Sequence, residues 1–226
     1  MNKNFKIPAN IFQTWHSKIL PKSIFLAVLQ IKRANPIFNH YLFDDNDCRE
    51  FIRKHFRTDV LNAYDRLIPG AYKADLWRYC VLYIMGGIYL DIKYIPINNF
   101  KFLNLLNREY WVTDVDGNGI YNALIICRAR NPILFNAINK IVENVKNKYY
   151  GDSCLDPTGP RLLGKYFTYE EKQNSMIKHI LSNSDKFIVL NEKCILKCFK
   201  GYYVIQNNYK ITKHYGDLWN ERNIYL

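Results

Sequence analysis

The chain has 226 residues, 49% of them hydrophobic and 15% aromatic, which is enough for one domain with a sizeable core and excludes a disordered chain. Lys and Arg number 32 against 20 Asp and Glu, a net charge of +12 that favours anionic partners: nucleic acid, phosphate-bearing substrates or an acidic membrane surface. The basic residues are scattered with no run of four, and an AT-rich coding sequence would raise Lys, Asn, Ile and Tyr in the same way without any ligand. The longest apolar stretch, Val81 to Leu90, is about half a membrane span, so no membrane span is expected. Met1 to Lys6 lead into Ile7-Pro8 without an apolar leader, so export is not expected either. The six cysteines, at 48, 80, 127, 154, 194 and 198, lack zinc-ribbon spacing and read as free thiols in a reducing compartment.

In chain order, Ile7 to Trp15 alternates weakly and predicts an opening strand, closed by Leu20-Pro21. Lys22 to Ala34 has helical apolar spacing at Ile24, Val28 and Ile31, and Asn35-Pro36 stops it. Asn39 to Phe43 predicts a second strand, and the Asp44-Asp45-Asn46-Asp47 run offers N-caps for a helix carrying Phe51, Ile52 and Phe56. A helix is then expected from about Ala71 to Met85, ended by Gly86-Gly87, followed by a buried strand Ile88 to Asp91. Trp111 to Thr113 and Ala123 to Ala129 read as further strands, and Pro132 to Val145 as an amphipathic helix. Lys186 to Leu190, Cys194 to Phe199 and Tyr202 to Ile205 read as late strands. Strands alternating with helices predict a single α/β domain over 1–226, in which ligands sit beyond the carboxyl ends of strands.

The densest chemistry lies between Ala74 and Lys93. Asp75 and Arg78 are three apart on one helix face, and Asp91 ends the next strand. Two carboxylates and a guanidinium converging there suit sugar hydroxyls and a diphosphate. By spacing alone, an exposed structural ion pair between Asp75 and Arg78 is the simpler reading.

The run Gly70-Ala71-Tyr72-Lys73-Ala74-Asp75-Leu76-Trp77-Arg78-Tyr79, followed by Gly86-Gly87-Ile88-Tyr89-Leu90-Asp91, resembles the core of the family 32 glycosyltransferases, the DXD sugar transferases. The resemblance extends to Ile7-Pro8 through Trp15, to Asn35-Pro36 through Asp45, to Thr158-Gly159-Pro160 and to His214 through Trp219. It implies a GT-A fold with a mixed, mostly parallel central sheet flanked by helices. It also implies retaining transfer of a hexose from a UDP- or GDP-sugar to a hydroxyl on a glycan, protein or lipid. Carried over residue by residue, Trp15 stacks near the base, Asp75 and Arg78 grip the donor sugar, and Asn122 faces that sugar. Asp91 contacts ribose, sugar or metal, Gly87 and Tyr89 belong to the donor-binding segment, and Trp219 lies near the diphosphate. Without an anchor, the chain is expected in a cytoplasm, bacterial or of a virus-infected host.

The motif departs from the family at its third position, where Lys93 replaces the usual second acid in Asp91-Ile92-Lys93. Alternation puts Asp91 and Lys93 on one side of the chain. Three readings follow: Mn²⁺ or Mg²⁺ held by Asp91 with His214 or Asp217, the Lys93 ammonium neutralising the diphosphate itself, or a catalytically inactive nucleotide-sugar or glycan binder. Retained metal binding is the expectation carried forward. Asp114 to Gly119 fits half of a calcium loop but lacks the acid at position twelve, so a turn between strands is expected. His16, His40, His55 and His179 read as surface or satisfied histidines. Nucleic-acid binding, suggested by charge alone, is not expected.

Overall fold

The computed structural model describes residues 5–183 and 185–226; residues 1–4, part of the opening segment in which no export leader is expected, lie outside them. The first half of the chain forms β1 (Asn10–Thr14), α1 (Lys22–Ala34), β2 (Asn39–Phe43), α2 (Asp45–His55), α3 (Thr58–Arg66), α4 (Gly70–Met85), β3 (Gly87–Leu90) and β4 (Tyr94–Pro96). After a 3₁₀ turn at Phe102–Leu105 come β5 (Tyr110–Thr113), β6 (Ile120–Cys127), α5 (Pro132–Lys146), α6 (Pro160–Gly164) and α7 (Tyr169–Gln173). Three strands follow, β7 (Ile177–Ser182), β8 (Asp185–Leu190) and β9 (Lys193–Cys198), then the helices α8 (Tyr202–Tyr209) and α9 (Tyr215–Asn220).

The strands form one nine-stranded sheet in the order β2-β1-β3-β6-β5-β7-β8-β9-β4. The α/β class is as expected, but the pairing is not mostly parallel. Among the described residues β1 pairs parallel with β2 and β3, and β5 with β7, whereas the other five pairs are antiparallel. The reason is connection length. Parallel neighbours need a long crossover, which α1 and the α2–α4 stretch supply to β1, β2 and β3. The pairs β5–β6, β7–β8 and β8–β9 follow one another too closely for that, while β3–β6 and β4–β9 join strands distant in the chain. The link from β8 to β9 is Asn191-Glu192 with both φ positive, at 46° and 66°, a two-residue turn that only antiparallel partners can use.

Tyr202 to Ile205 is helix rather than the expected strand. Its aromatic and β-branched residues have strand propensity, but both edges of β9 are already taken, by β8 and β4. Gly201, at φ +85°, turns the chain away into α8.

Alternation within the strands divides the core into two layers. Phe12, Tyr89, Ile125 and Cys127 face the layer built by α2 to α5, with Leu76, Val60, Ile52 and Ile138 opposite them. Ile11, Ile88, Leu90, Leu124 and Ile126 face the other layer, against Ile24 and Ile31 of α1 and Phe102. β3 is buried along its whole length, which explains why it reads as a continuous apolar run. α4 is buried nearly all round, Asp75 and Arg78 included, as expected for a helix that is apolar on every side. The Asp44 cap forms as the sequence predicts: its carboxylate accepts from the Asp47 N–H at 2.8 Å, and Asp47 returns the bond at 3.1 Å. The cysteines are free. Among the described residues, no helix is long and apolar enough to cross a membrane.

The connection from α4 to β3 requires glycine. Gly86 caps the helix at φ +61°, its N–H bonded to the Leu82 carbonyl at 2.8 Å. Gly87, at φ +123°, lies so close to β1 that a Cβ would stand 2.7 Å from the Asn10 carbonyl oxygen. Gly87→Ala is therefore expected to destabilise the fold by about 2–3 kcal/mol. Chemical denaturation checks this, and an unchanged midpoint would remove the close-approach argument.

Candidate active site

The parallel strands β1 and β3 end at the same edge of the sheet, and a cavity of about 490 Å³ opens there. It is reached by Trp15 just beyond β1, by Asp91 and Lys93 just beyond β3, and by Asp75 and Arg78 of α4 and Asn122 of β6. β6 runs antiparallel beside β3, with the Asp91 N–H bonded to the Ala123 carbonyl at 2.8 Å, so Asn122 is carried to the level of Asp91.

Asp75 and Arg78 are buried, at 7% and 6% exposure, so the reading of an exposed helix-face ion pair does not hold. Their groups stand 3.3 Å apart. Asp75 Oδ1 accepts from Asn122 Nδ2 at 2.9 Å, and Oδ2 from the Thr158 hydroxyl at 2.7 Å. The Asn122 amide also donates to the Tyr79 hydroxyl at 2.9 Å, which in turn donates to the Thr158 carbonyl at 3.1 Å. Arg78 donates to the Asn122 carbonyl at 2.8 Å, lies over the Tyr89 ring at 4.3 Å, and stands 3.4 Å from Asp91 Oδ1. That same oxygen accepts from the Tyr89 hydroxyl at 2.7 Å, while Asp91 Oδ2 is paired with the Lys93 ammonium.

Burial pushes the Asp75 carboxyl above its ordinary range, against the opposing pull of Arg78. Burial also works against the charge on Asp91, but Lys93 and Arg78 outweigh it and hold that carboxyl below its ordinary range. For Lys93, burial disfavours the ammonium, and the adjacent Asp91 charge more than offsets it, so the group stays protonated.

The structure does not bring every expected residue to the cavity. His214 lines it, but its Nδ1 accepts the Gly216 N–H at 3.1 Å as the cap of α9. Asp217, in the first turn of α9, and Gly87 are not among the lining residues. Trp219 points elsewhere, donating to the Tyr150 carbonyl at 2.8 Å with Arg222 over its ring. Asp91, His214 and Asp217 therefore do not form the expected metal set, and among the described residues no three His, Cys, Asp or Glu side chains are gathered to hold an ion. With both Asp91 oxygens engaged by protein donors, the residues present do not fit a protein-held divalent cation. The Asp114 turn is closed by backbone hydrogen bonds and by an Asp116–Arg161 pair, with no calcium-loop geometry needed.

Sequence reasoning gave no role to Thr158, which donates to Asp75, or to Tyr79, which links Asn122 to the Thr158 carbonyl, and it missed a set on the far wall. There His179 Nδ1 lies 3.0 Å from Asp114, its ring stacks on Tyr121 at 3.8 Å, and its buried Nε2 has no partner among the described residues. No spacing links these residues, since they are 65 and 58 positions apart and meet only through the pairing of β5 with β7. The indole N–H of Trp15 is likewise buried without a partner.

Residues 21–112 match the family described as "Glycosyltransferase sugar-binding region containing DXD motif", a segment that includes α4, β3 and the Asp91–Lys93 motif. Over that segment the chain is similar to this family. It is similar to inositol phosphoceramide mannosyltransferase 3 of Schizosaccharomyces pombe, at 28% identity over 72% of this chain and 45% of that one. It is also similar to the initiation-specific alpha-1,6-mannosyltransferase of Candida albicans, at 35% identity over 49% of this chain and 32% of that one. An uncharacterized glycosyltransferase, L373, of Acanthamoeba polyphaga mimivirus matches at 28% identity over 74% of this chain and 67% of its own length. The chain thus spans less than half the length of the two fungal relatives. Among solved structures it resembles the PaToxG glycosyltransferase with a TM-score of 0.56 at 17% identity, over 74% of this chain and 69% of that one, which shows a shared fold.

The two acids differ in what they do for stability. Asp91, held below the unfolded carboxylate value of about 3.9, stabilises the fold above about pH 4, and that contribution is lost as pH falls through its folded value. Asp75, raised by burial, has the opposite sign: its ionisation weakens the fold as pH rises through its folded value. Asp91→Asn leaves Lys93 and Arg78 with less compensation and is expected to lose about 3–5 kcal/mol at neutral pH. Asp75→Asn is expected to lose less. Unfolding midpoints between pH 3 and 7 check both, and a larger loss for Asp75→Asn would reverse the assignment.

Proposed function

We propose that the cavity binds a nucleoside-diphosphate hexose and that the chain transfers the hexose, with retention of anomeric configuration, to a hydroxyl on a glycan, protein or lipid. The observation that carries this reading is the buried, cross-braced set of Asp75, Arg78, Asn122 and Asp91 at the carboxyl edge of β1 and β3. Two carboxylates at that place accept from sugar hydroxyls, and the guanidinium between them supplies positive charge near the departing group. The mannosyltransferase names of the fungal relatives make GDP-mannose the first donor to test, with UDP-hexoses beside it.

The reaction proceeds from the acceptor hydroxyl oxygen bonding to the anomeric carbon on the face the diphosphate leaves. The bond from that carbon to the diphosphate oxygen breaks, its electron pair goes to the diphosphate, and the diphosphate takes the acceptor's proton. The chain's part is to orient the sugar through Asp75 and Asn122 and to exclude water with the aromatic wall of Tyr89 and Tyr121. Because the bracing is already complete in the fold, little reorganisation is required as charge develops.

Incubation with each donor and simple glycoside acceptors, with released nucleoside diphosphate and the anomeric configuration of the product measured, tests the reading. Asp75→Asn is expected to lower turnover about 100-fold while changing nucleoside-diphosphate affinity little, because Asp75 serves the sugar. One observation favours a second reading: the Lys93 ammonium on Asp91, at the motif's third position, suits a binder that has lost turnover. Nucleotide binding with no transfer from any hexose donor is the outcome that selects it.

A further inference from the structure

The third position of the motif changes the electrostatics of the site in a countable way. Placing lysine where the family has an acid removes one negative charge and adds one positive charge. The net change of two units equals the charge of a divalent cation. Here Asp75 and Asp91 are balanced by Arg78 and Lys93 inside the fold, so a divalent ion at Asp91 would have to displace Lys93 and sit close to the buried Arg78 guanidinium, which stands 3.4 Å from Asp91 Oδ1.

The Lys93 ammonium is held in place for a task of this kind. Its side chain is 14% exposed and lies between the faces of Tyr94 and Tyr121, at 5.4 and 5.5 Å from the ring centres. Asp91 takes one of its three N–H donors, and among the described residues no other acceptor engages the rest. In surroundings this apolar the charge acts with less screening than it would in water. Lys186, Lys210 and Lys213 line the same cavity, Lys213 being paired with Glu221.

We propose that Lys93 takes the place of the divalent cation: its ammonium binds the donor's diphosphate and stabilises the leaving nucleoside diphosphate, so that the site works without a metal. This inference rests on the donor-site reading above. As the bond from the anomeric carbon to the diphosphate oxygen breaks, the electron pair collects on that oxygen and Lys93 hydrogen-bonds to the charged product. The lysine neither forms a covalent bond nor gives up its proton.

Calorimetric titration of the whole chain with GDP and UDP, and with the matching monophosphates, in EDTA and in Mn²⁺, tests this. The wild-type chain is expected to bind one of the diphosphates in EDTA within about threefold of its affinity in Mn²⁺. Lys93→Ala is expected to weaken the diphosphate about 10–100-fold, the loss of one charge-assisted hydrogen bond, and the monophosphate far less. A merely structural lysine would weaken both alike. Lys93→Arg, which keeps the charge and guards against a folding failure of the alanine variant, is expected to retain binding in EDTA. Lys93→Asp is expected to bind only when Mn²⁺ is added, with loss of the free Mn²⁺ signal in electron paramagnetic resonance. Binding by the wild-type chain only in Mn²⁺ overturns the role of Lys93 and leaves the donor site standing. Absence of nucleotide binding under every condition overturns both.

Discussion

The Asp91 carboxylate, held between the Arg78 guanidinium and the Lys93 ammonium, is the contact on which the site depends. Removing charges from water is costly, and it is tolerated only where each finds opposite charge and hydrogen-bond partners. Arg78 meets that condition completely: it donates to the Ala74 and Asn122 carbonyls, faces both carboxylates and rests on the Tyr89 ring. Asp75 meets it through Asn122 and Thr158. Each residue is buried because the others are, so the set behaves as one unit and fixes the local conformation of α4, β3 and β6 together.

The fold supplies this unit from four separate places. The long crossovers of the first half set β1 and β3 parallel, with their carboxyl ends at one edge, and the Gly86-Gly87 corner turns α4 directly into β3. That corner brings Asp75, Arg78 and Asp91 close although about two helix turns and a strand separate Arg78 from Asp91 in the chain. The antiparallel return of β6 adds Asn122, and the loop before α6 adds Thr158. A network assembled in advance on helix and strand ends is suited to steadying charge that appears only during a reaction. The same rigidity explains why a lysine in the motif is no neutral replacement: it alters the charge of a largely buried unit.

Much of this was legible beforehand. Asn39 to Phe43, the Asp44 cap, the Gly-Gly stop of α4 and the buried strand to Asp91 all carry strong local signals, and the structure has each of them. The relation of Asp75 to Arg78 was legible as a spacing, but its burial was not, because three-residue spacing describes an exposed pair and a buried one equally well. The strand expected at Tyr202 to Ile205 failed for a related reason. Propensity says what a segment tolerates, and whether a sheet edge remains free depends on β8 and on β4, the second of which lies far away in the chain. The His179–Asp114–Tyr121 set and the unassembled group of Asp91, His214 and Asp217 likewise turn on long-range pairing.

The sequence by itself determined β1, α1, β2, α2, α4 and β3, the corner between α4 and β3, the resemblance to the DXD sugar transferases and the presence of a lysine where an acid is usual. These are local matters, decided by side-chain periodicity, backbone freedom at glycine and the identity of single residues. Only the tertiary structure decided that the acids and bases form one buried neutral unit, that the sheet is more antiparallel than parallel, and that Trp219 and Asp217 stand away from the cavity. The physical reason is that desolvation and pairing are properties of a residue's surroundings, and those surroundings come from segments distant in the chain.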